Sequence, residues 1–143
     1  MEAKQKIYFR LGTQEFANAN FETAKANFDR SLEIGRYNAA TRADAYYWRG
    51  EANYRLEDYR AAGKDLRKYL EQATNKQSLE YGLALYNLGY TDFKQKNYSG
   101  ALNWFNRFLS EGSKNNRQVL ADAYNRIGDC YFYARSFDAA RQS

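Results

Sequence analysis

The 143-residue sequence contains no proline, no histidine and a single cysteine, Cys130. Histidine is the usual acid–base group near neutral pH and the commonest metal ligand, so its absence argues against an enzyme and against a metal site. One cysteine excludes an intrachain disulfide, and a thiol without a neighbouring base is more typical of a buried structural residue than of a nucleophile. We therefore predict no catalytic residue, no cofactor and no metal.

Valine occurs once, at Val119, and no apolar stretch approaches the eighteen residues that a membrane-spanning helix needs. The scarcity of β-branched residues argues against a sheet protein, whereas the many helix-forming residues favour helices. Aromatic residues make up 17% of the chain, which is too many for a disordered protein. The net charge of +5 comes from basic residues mixed with acidic ones, as on ordinary solvated helix faces. The composition predicts an all-α protein.

Four glycines mark an internal repeat. Gly12, Gly50, Gly89 and Gly128 are separated by 38, 39 and 39 residues. The residues around them repeat as well, with large side chains four before, four after and nine after each glycine and alanine twelve after it. These positions hold Tyr8, Tyr46, Leu85 and Tyr124, then Phe16, Tyr54, Phe93 and Phe132, then Phe21, Tyr59, Tyr98 and Phe137, and finally Ala24, Ala62, Ala101 and Ala140.

Each unit is predicted to form two antiparallel helices, with the glycine on the first (helix A) and the alanine on the second (helix B). The helix breaks are predicted just before four residues that suit an N-cap, namely Asn20, Asp58, Asn97 and Ser136. Glycine and alanine let the two helices approach closely, and large side chains fill the remaining space. The aromatic residue four after each glycine is accordingly predicted to lie in the core.

These residues resemble the tetratricopeptide repeat family, whose signature is W-x2-L-G-x2-Y followed by A-x3-F. Tyr124-x2-Ile127-Gly128-x2-Tyr131 is similar to the first part, and Ala24-x3-Phe28 and Ala101-x3-Phe105 are similar to the second. The resemblance implies a right-handed superhelix of stacked helix pairs, with seven full helices and a truncated eighth in one solenoid domain. The implied repeats span about 5–38, 43–76, 82–115 and 121–143.

Several features depart from the common repeat. The period exceeds the usual ~34 residues, Arg49 replaces a leucine, and Tyr69 and Phe108 stand where a small residue is usual. Longer units with such aromatics resemble the bacterial envelope branch of the family, which includes BamD-like and CpoB-like proteins, and this implies the periplasm or cell envelope. The fourth unit stops within helix B, so we expect a fragment of a longer array whose truncated edge could form a homodimer.

The resemblance implies a non-enzymatic scaffold that binds a protein or peptide on the concave face formed by the A helices. That face would suit a segment with apolar anchors and some acidic character. Carried over position by position, the candidate binding residues are Lys6, Phe9, Arg10, Tyr47, Trp48, Glu51, Tyr86, Tyr90, Asn125 and Arg126.

Three alternatives stay open at this stage. Tyr47 and Tyr86 could pack between neighbouring helices and contact no ligand. The repeats could bind single-stranded RNA, because tyrosine and arginine stack on bases, although acidic Glu51 and Asp122 fall on the same predicted face. The array could also be a purely structural or oligomerisation segment.

Overall fold

Three helix pairs and one further helix form the described fold. The computed structural model describes residues 1–112 and 116–142, with side chains up to residue 136. Within those ranges the chain forms no strand and seven helices. These are α1 (Glu2–Ala17), α2 (Phe21–Ile34), α3 (Ala39–Arg55), α4 (Tyr59–Gln72), α5 (Leu79–Lys94), α6 (Tyr98–Glu111) and α7 (Arg117–Gln142). They lie in two compact units, Met1–Thr74 with α1–α4 and Asn75–Ser143 with α5–α7. The predicted all-α fold is confirmed.

The repeated glycines lie where the two helices of a pair touch. A β-carbon on Gly12 would lie 2.5 Å from Phe28 Cε1, and one on Gly89 would lie 2.5 Å from Phe105 Cε1. A β-carbon on Gly50 would lie 2.9 Å from Leu66 Cγ. These distances are shorter than the non-bonded contacts that β-carbons make. Only glycine therefore leaves room for the large side chain of the partner helix.

The junction between the helices of each pair is also repeated. Ala19, Glu57 and Lys96, each seven residues after its glycine, have φ angles of 62°, 62° and 63°. The left-handed conformation costs a non-glycine residue about 1–2 kcal/mol, which the packing of the following helix must offset. At two junctions the next residue caps that helix, since Asp58 accepts from the Ala61 amide and Asn97 from the Gly100 amide.

The predicted break at Arg135-Ser136 and the truncated eighth helix are wrong, because α7 continues as one helix to Gln142. Continuing the helix adds a backbone hydrogen bond per residue and avoids the left-handed residue found at each of the other three junctions. In the described part of the chain, no neighbouring atom lies within 4 Å of the β-carbon position of Gly128.

The prediction that all four aromatics after the glycines lie in the core fails in the fourth repeat for the same reason. Phe16, Tyr54 and Phe93 are partly buried, and each ring contacts the aromatic that begins helix B. Phe132 is 66% exposed because α7 continues as one helix and no helix in the described part of the chain packs over it. The predicted structural thiol is confirmed, since Cys130 is 1% exposed and burial raises its pKa to about 11.

A polar cluster lies inside the first unit, where the common repeat would have a leucine. Arg49 donates through Nε and Nη2 to both oxygens of Asp65, at 2.9 and 2.8 Å, and through Nη1 to Asp29 at 2.8 Å. Asn53 Nδ2 donates to the same buried carboxylate at 3.0 Å. Burial opposes the charged guanidinium, but these carboxylates raise the pKa of Arg49 above its ordinary value. The cluster joins α2, α3 and α4.

Gly89 and Gly128 form a matched pair for testing the glycine contact. Gly89→Ala should destabilise the chain by about 1–3 kcal/mol, because the new methyl group overlaps the Phe105 ring. Gly128→Ala should stabilise it by about 0.5–1 kcal/mol, because alanine is the better helix former and meets no neighbour. Urea unfolding followed by circular dichroism measures both, and equal effects of the two substitutions would contradict the argument.

Removing Arg49 alone should destabilise the chain more than removing Arg49 and Asp65 together. Arg49→Leu leaves the buried Asp65 carboxylate without its cation, and we expect a loss of about 3–5 kcal/mol in the free energy of unfolding. The double variant Arg49→Leu with Asp65→Leu should recover most of that loss. The same urea titration tests this, and a double variant as unstable as the single one would show that the ion pair itself stabilises the unit.

Candidate functional site

In the first unit, the predicted residues of α1 form an exposed strip. Lys6 and Arg10 are exposed, and Lys6 forms an ion pair with Glu2 one turn earlier, at 3.6 Å. Phe9 is partly buried, and its ring centroid lies 6.0 Å from that of Phe28. The structure therefore places Lys6 and Arg10 at the surface, with the partly buried Phe9 on the same helix.

Two of the predicted residues on α3 are buried. Tyr47 is 4% exposed and Glu51 is 5% exposed, contrary to the surface position that the helix register predicts. The Tyr47 ring lies 5.1 Å from Trp48 and 5.3 Å from Tyr69 of α4. Tyr69 covers Tyr47 because it replaces the small residue usual at its position, so the packing alternative describes Tyr47. Trp48 stays partly exposed.

In the second unit, Tyr86 and Tyr90 are adjacent on α5 and partly exposed. Their ring centroids lie 5.2 Å apart, and Tyr86 also contacts Phe108 of α6 at 5.4 Å. Both hydroxyl groups donate to the same oxygen of Asp122 on α7, Oδ2. Burial, followed by the hydrogen bond to Asp122, raises the pKa of Tyr90 well above its ordinary value. These contacts hold the two partly exposed rings in place.

Charged residues of α7 complete this part of the surface. Arg126 lies between two carboxylates, with Nε 3.7 Å from Asp122 Oδ1 and Nη1 3.0 Å from Asp129 Oδ2. Asn125 is exposed beside it. Because two acidic groups already surround this arginine, the cluster suits a polypeptide better than a phosphate backbone, and RNA binding is not favoured.

A feature that sequence reasoning missed lies at the amino-terminal ends of α5 and α7. An open cleft of about 720 Å³ lies there, lined by Gln77, Leu79, Gly82, Leu83, Phe108, Asn116, Arg117, Gln118 and Val119. Leu79 is 61% exposed, although it is a large apolar residue. Leu79, Leu83, Tyr86 and Tyr90 follow one another along α5 at helical spacing, so the cleft continues the surface that carries the two tyrosines.

Residues 43–76 match the tetratricopeptide repeat family. The fold is of the tetratricopeptide type. Repeats of this type typically mediate protein–protein interactions. The chain is also similar to neutrophil cytosol factor 2 of Mus musculus, 27% identical in an alignment of 107 residues, which covers 67% of this chain and 20% of that protein. The chain thus spans about a fifth of the length of this curated relative.

Two solved structures are similar to the chain. The crystal structure of MamA protein has a TM-score of 0.54 at 20% identity, covering 99% of this chain and 88% of that one. A structure titled as the functional characterization of Pseudomonas aeruginosa pilF has a TM-score of 0.49 at 20% identity, covering 99% and 73%. The likeness to MamA supports the fold.

The described residues hold no group of three or more histidine, cysteine or acidic side chains placed to bind a metal ion. No helix within the described ranges has the length and apolar character to cross a membrane.

The Asp122 carboxylate, which both tyrosines share, should contribute more to the stability of the chain than the Asp129 carboxylate on the same helix. Asp122→Ala leaves two partly buried tyrosine hydroxyls without their acceptor, and we expect a loss of about 1–3 kcal/mol in the free energy of unfolding. Asp129→Ala is the control, because it removes only one ion pair to Arg126 and should change stability by less than about 1 kcal/mol. Urea titrations of the two variants test this, and equal losses would show that the tyrosine contacts contribute little.

Proposed function

We propose that the chain is a non-enzymatic scaffold that binds a partner polypeptide along α5 and α7 of the second unit. The observation that carries this proposal is the open cleft at one end of a row of partly exposed apolar and aromatic side chains. Its volume of about 720 Å³ is typical of sites that bind a ligand. The fold supports the proposal, because helical repeats commonly bind their partners on extended surfaces formed by successive helices.

The chemistry of the surface indicates the kind of segment that would bind. Leu79, Leu83 and Val119 line the cleft with Phe108, so the cleft would take one large apolar side chain as an anchor. Arg117 is exposed at the same cleft and would favour an acidic residue near that anchor. Further along, the partly exposed rings of Tyr86 and Tyr90 would offer a second apolar contact about two turns of α5 away.

The setting of this scaffold is also a proposal. The long repeat period and the additional aromatics Tyr69 and Phe108 support a place in the bacterial envelope branch of the family, and hence in the periplasm or cell envelope. Membership of a longer array and a homodimer through the carboxyl-terminal edge stay predictions.

Leu79→Asp tests the cleft without threatening the fold. Leu79 is 61% exposed and begins α5, where an acidic side chain is favourable, so the variant should keep its helical circular dichroism. We would select ligands for the wild-type chain from a phage-displayed library of short random peptides. The selected peptides should share a large apolar residue beside an acidic one. Leu79→Asp should weaken their binding by about tenfold or more, which equals about 1.4 kcal/mol.

The matched control is Ile7→Asp, which places the same charge at a similarly exposed apolar residue of α1, outside the cleft. It should leave peptide affinity unchanged in fluorescence anisotropy. Peptides that bind Leu79→Asp as tightly as the wild type would place the binding surface elsewhere. Binding of a fluorescent single-stranded RNA with a steep salt dependence, and no selected peptide, would overturn the proposal.

A further inference from the structure

Helix α4 has a basic surface. It belongs to the second repeat, with helices before and after it in the chain. Its exposed residues are Arg60, Lys64, Arg67, Lys68 and Glu71, and Lys68 pairs with Glu71 at 3.7 Å. The other three have no acidic partner within 4 Å in the described part of the chain. They follow one another at four- and three-residue spacing and share one side of α4 over about 10 Å. We call these three residues the basic face.

The fold itself does not require these charges. α2 and α6 are the second helices of their pairs, as α4 is, and their equivalent residues lie 38 positions before and 39 positions after those of α4. All three helices pack through the same buried alanine and a buried phenylalanine or leucine four residues later. At the positions of the basic face, however, α2 has Glu22, Ala26 and Asp29, and α6 has Ser99, Asn103 and Asn106. The packing therefore permits neutral or acidic residues, and the charge of α4 needs another explanation.

The charges do not stabilise α4 either. The helix dipole favours acidic residues in the first turn and basic residues in the last turn. α4 has the reverse order, with Arg60 in its first turn and Glu71 in its last. Lys64 lies one turn from both Arg60 and Arg67, and like charges at this spacing repel each other. A surface that opposes the stability of its own helix is typical of a functional site.

An open groove of about 610 Å³ lies among these side chains and is lined by Asp58, Arg60, Ala61, Lys64 and Arg67. Asp58 is the acidic residue of this lining. Its carboxylate accepts from the Ala61 amide at 3.2 Å and caps the start of α4. Because that carboxylate serves the helix, the groove offers three cations to a ligand.

We propose that the basic face of α4 binds an acidic segment of a partner protein. Carboxylates one helical turn apart match the spacing of the three cations, and arginine can hold a carboxylate through two parallel hydrogen bonds. The proposal is independent of the cleft in the second unit, because none of these residues lines that cleft.

Two other anionic partners fit the basic face less well. Single-stranded nucleic acids are held partly by stacking of bases on aromatic rings. Residues 59–72 expose no aromatic ring, since Tyr59 is half-buried against Tyr54, with their ring centroids 5.4 Å apart. A helix that lies on an anionic membrane inserts apolar side chains, and every exposed residue of α4 is charged.

The probe is a helical peptide of alanine and glutamine that carries three glutamates at the same four- and three-residue spacing. It is titrated into the isotopically labelled, full-length chain and followed by heteronuclear NMR at about 0.1 M salt, where distant charges are screened. We expect saturable shifts at Arg60, Lys64 and Arg67 that diminish as salt is added. The triple variant Arg60→Gln, Lys64→Gln and Arg67→Gln should weaken binding by about tenfold or more.

The matched control is the triple variant Lys4→Gln, Lys94→Gln and Arg135→Gln. It removes the same total charge from exposed positions on α1, α5 and α7, and it should leave the affinity unchanged. A peptide with glutamine in place of the three glutamates should not bind. The variant of the basic face should unfold at the same or a higher urea concentration than the wild type, because it removes repulsion between like charges.

Four results would overturn the proposal. The first is an acidic peptide that does not bind the wild-type chain, and the second is binding that the variant of the basic face leaves unchanged. The third is a loss of stability in that variant, because the three side chains would then serve the fold. The last is tighter binding of oligouridylate or of phosphatidylserine vesicles than of the peptide, abolished by the same variant, since the partner would then be a nucleic acid or a membrane.

Discussion

The contact between a glycine on one helix and a large apolar side chain on its partner determines most of this structure. The glycines of α1, α3 and α5 each receive Phe28, Leu66 or Phe105 in the space of a missing β-carbon. Because every contact lies at the same point of its helix pair, it sets the register of the pair and the burial of the alanines beside it. The left-handed junctions at Ala19, Glu57 and Lys96 persist where this packing follows them.

The Arg49 cluster adds directional contacts to this apolar packing in the first unit. A leucine at that position would pack against several neighbours equally well, whereas the guanidinium group needs both Asp65 and Asp29 at fixed angles. Buried ion pairs contribute little net stability compared with apolar residues of the same size. We therefore interpret the cluster as a device that selects one arrangement of α2, α3 and α4.

The helix pairs and their breaks could be predicted because periodicity reports which positions of a helix are buried. How far a side chain is buried depends instead on the residues of the partner helix, as Tyr47 shows. Its position in the helical repeat predicts that Tyr47 lies at the surface, but Tyr69 of α4 covers it. In the first repeat the position equivalent to Tyr69 is Ser31, and Phe9 is only partly buried. The break at Arg135 was predicted from local residues alone, and α7 continues through it as one helix. The cleft depends on how α5, α6 and α7 meet, which no local pattern reports.

Different sides of α7 carry different groups of residues. Successive residues of an α-helix are about 100° apart around its axis. Asp122 and Arg126 lie on the side facing the α5 tyrosines, whereas Tyr124 and Gly128 lie about 200° away from them. Ala123 and Cys130, which are buried, fall between these two sides. A segment bound along α5 and α7 would therefore contact one side of α7 and leave the side with Tyr124 and Gly128 uncovered.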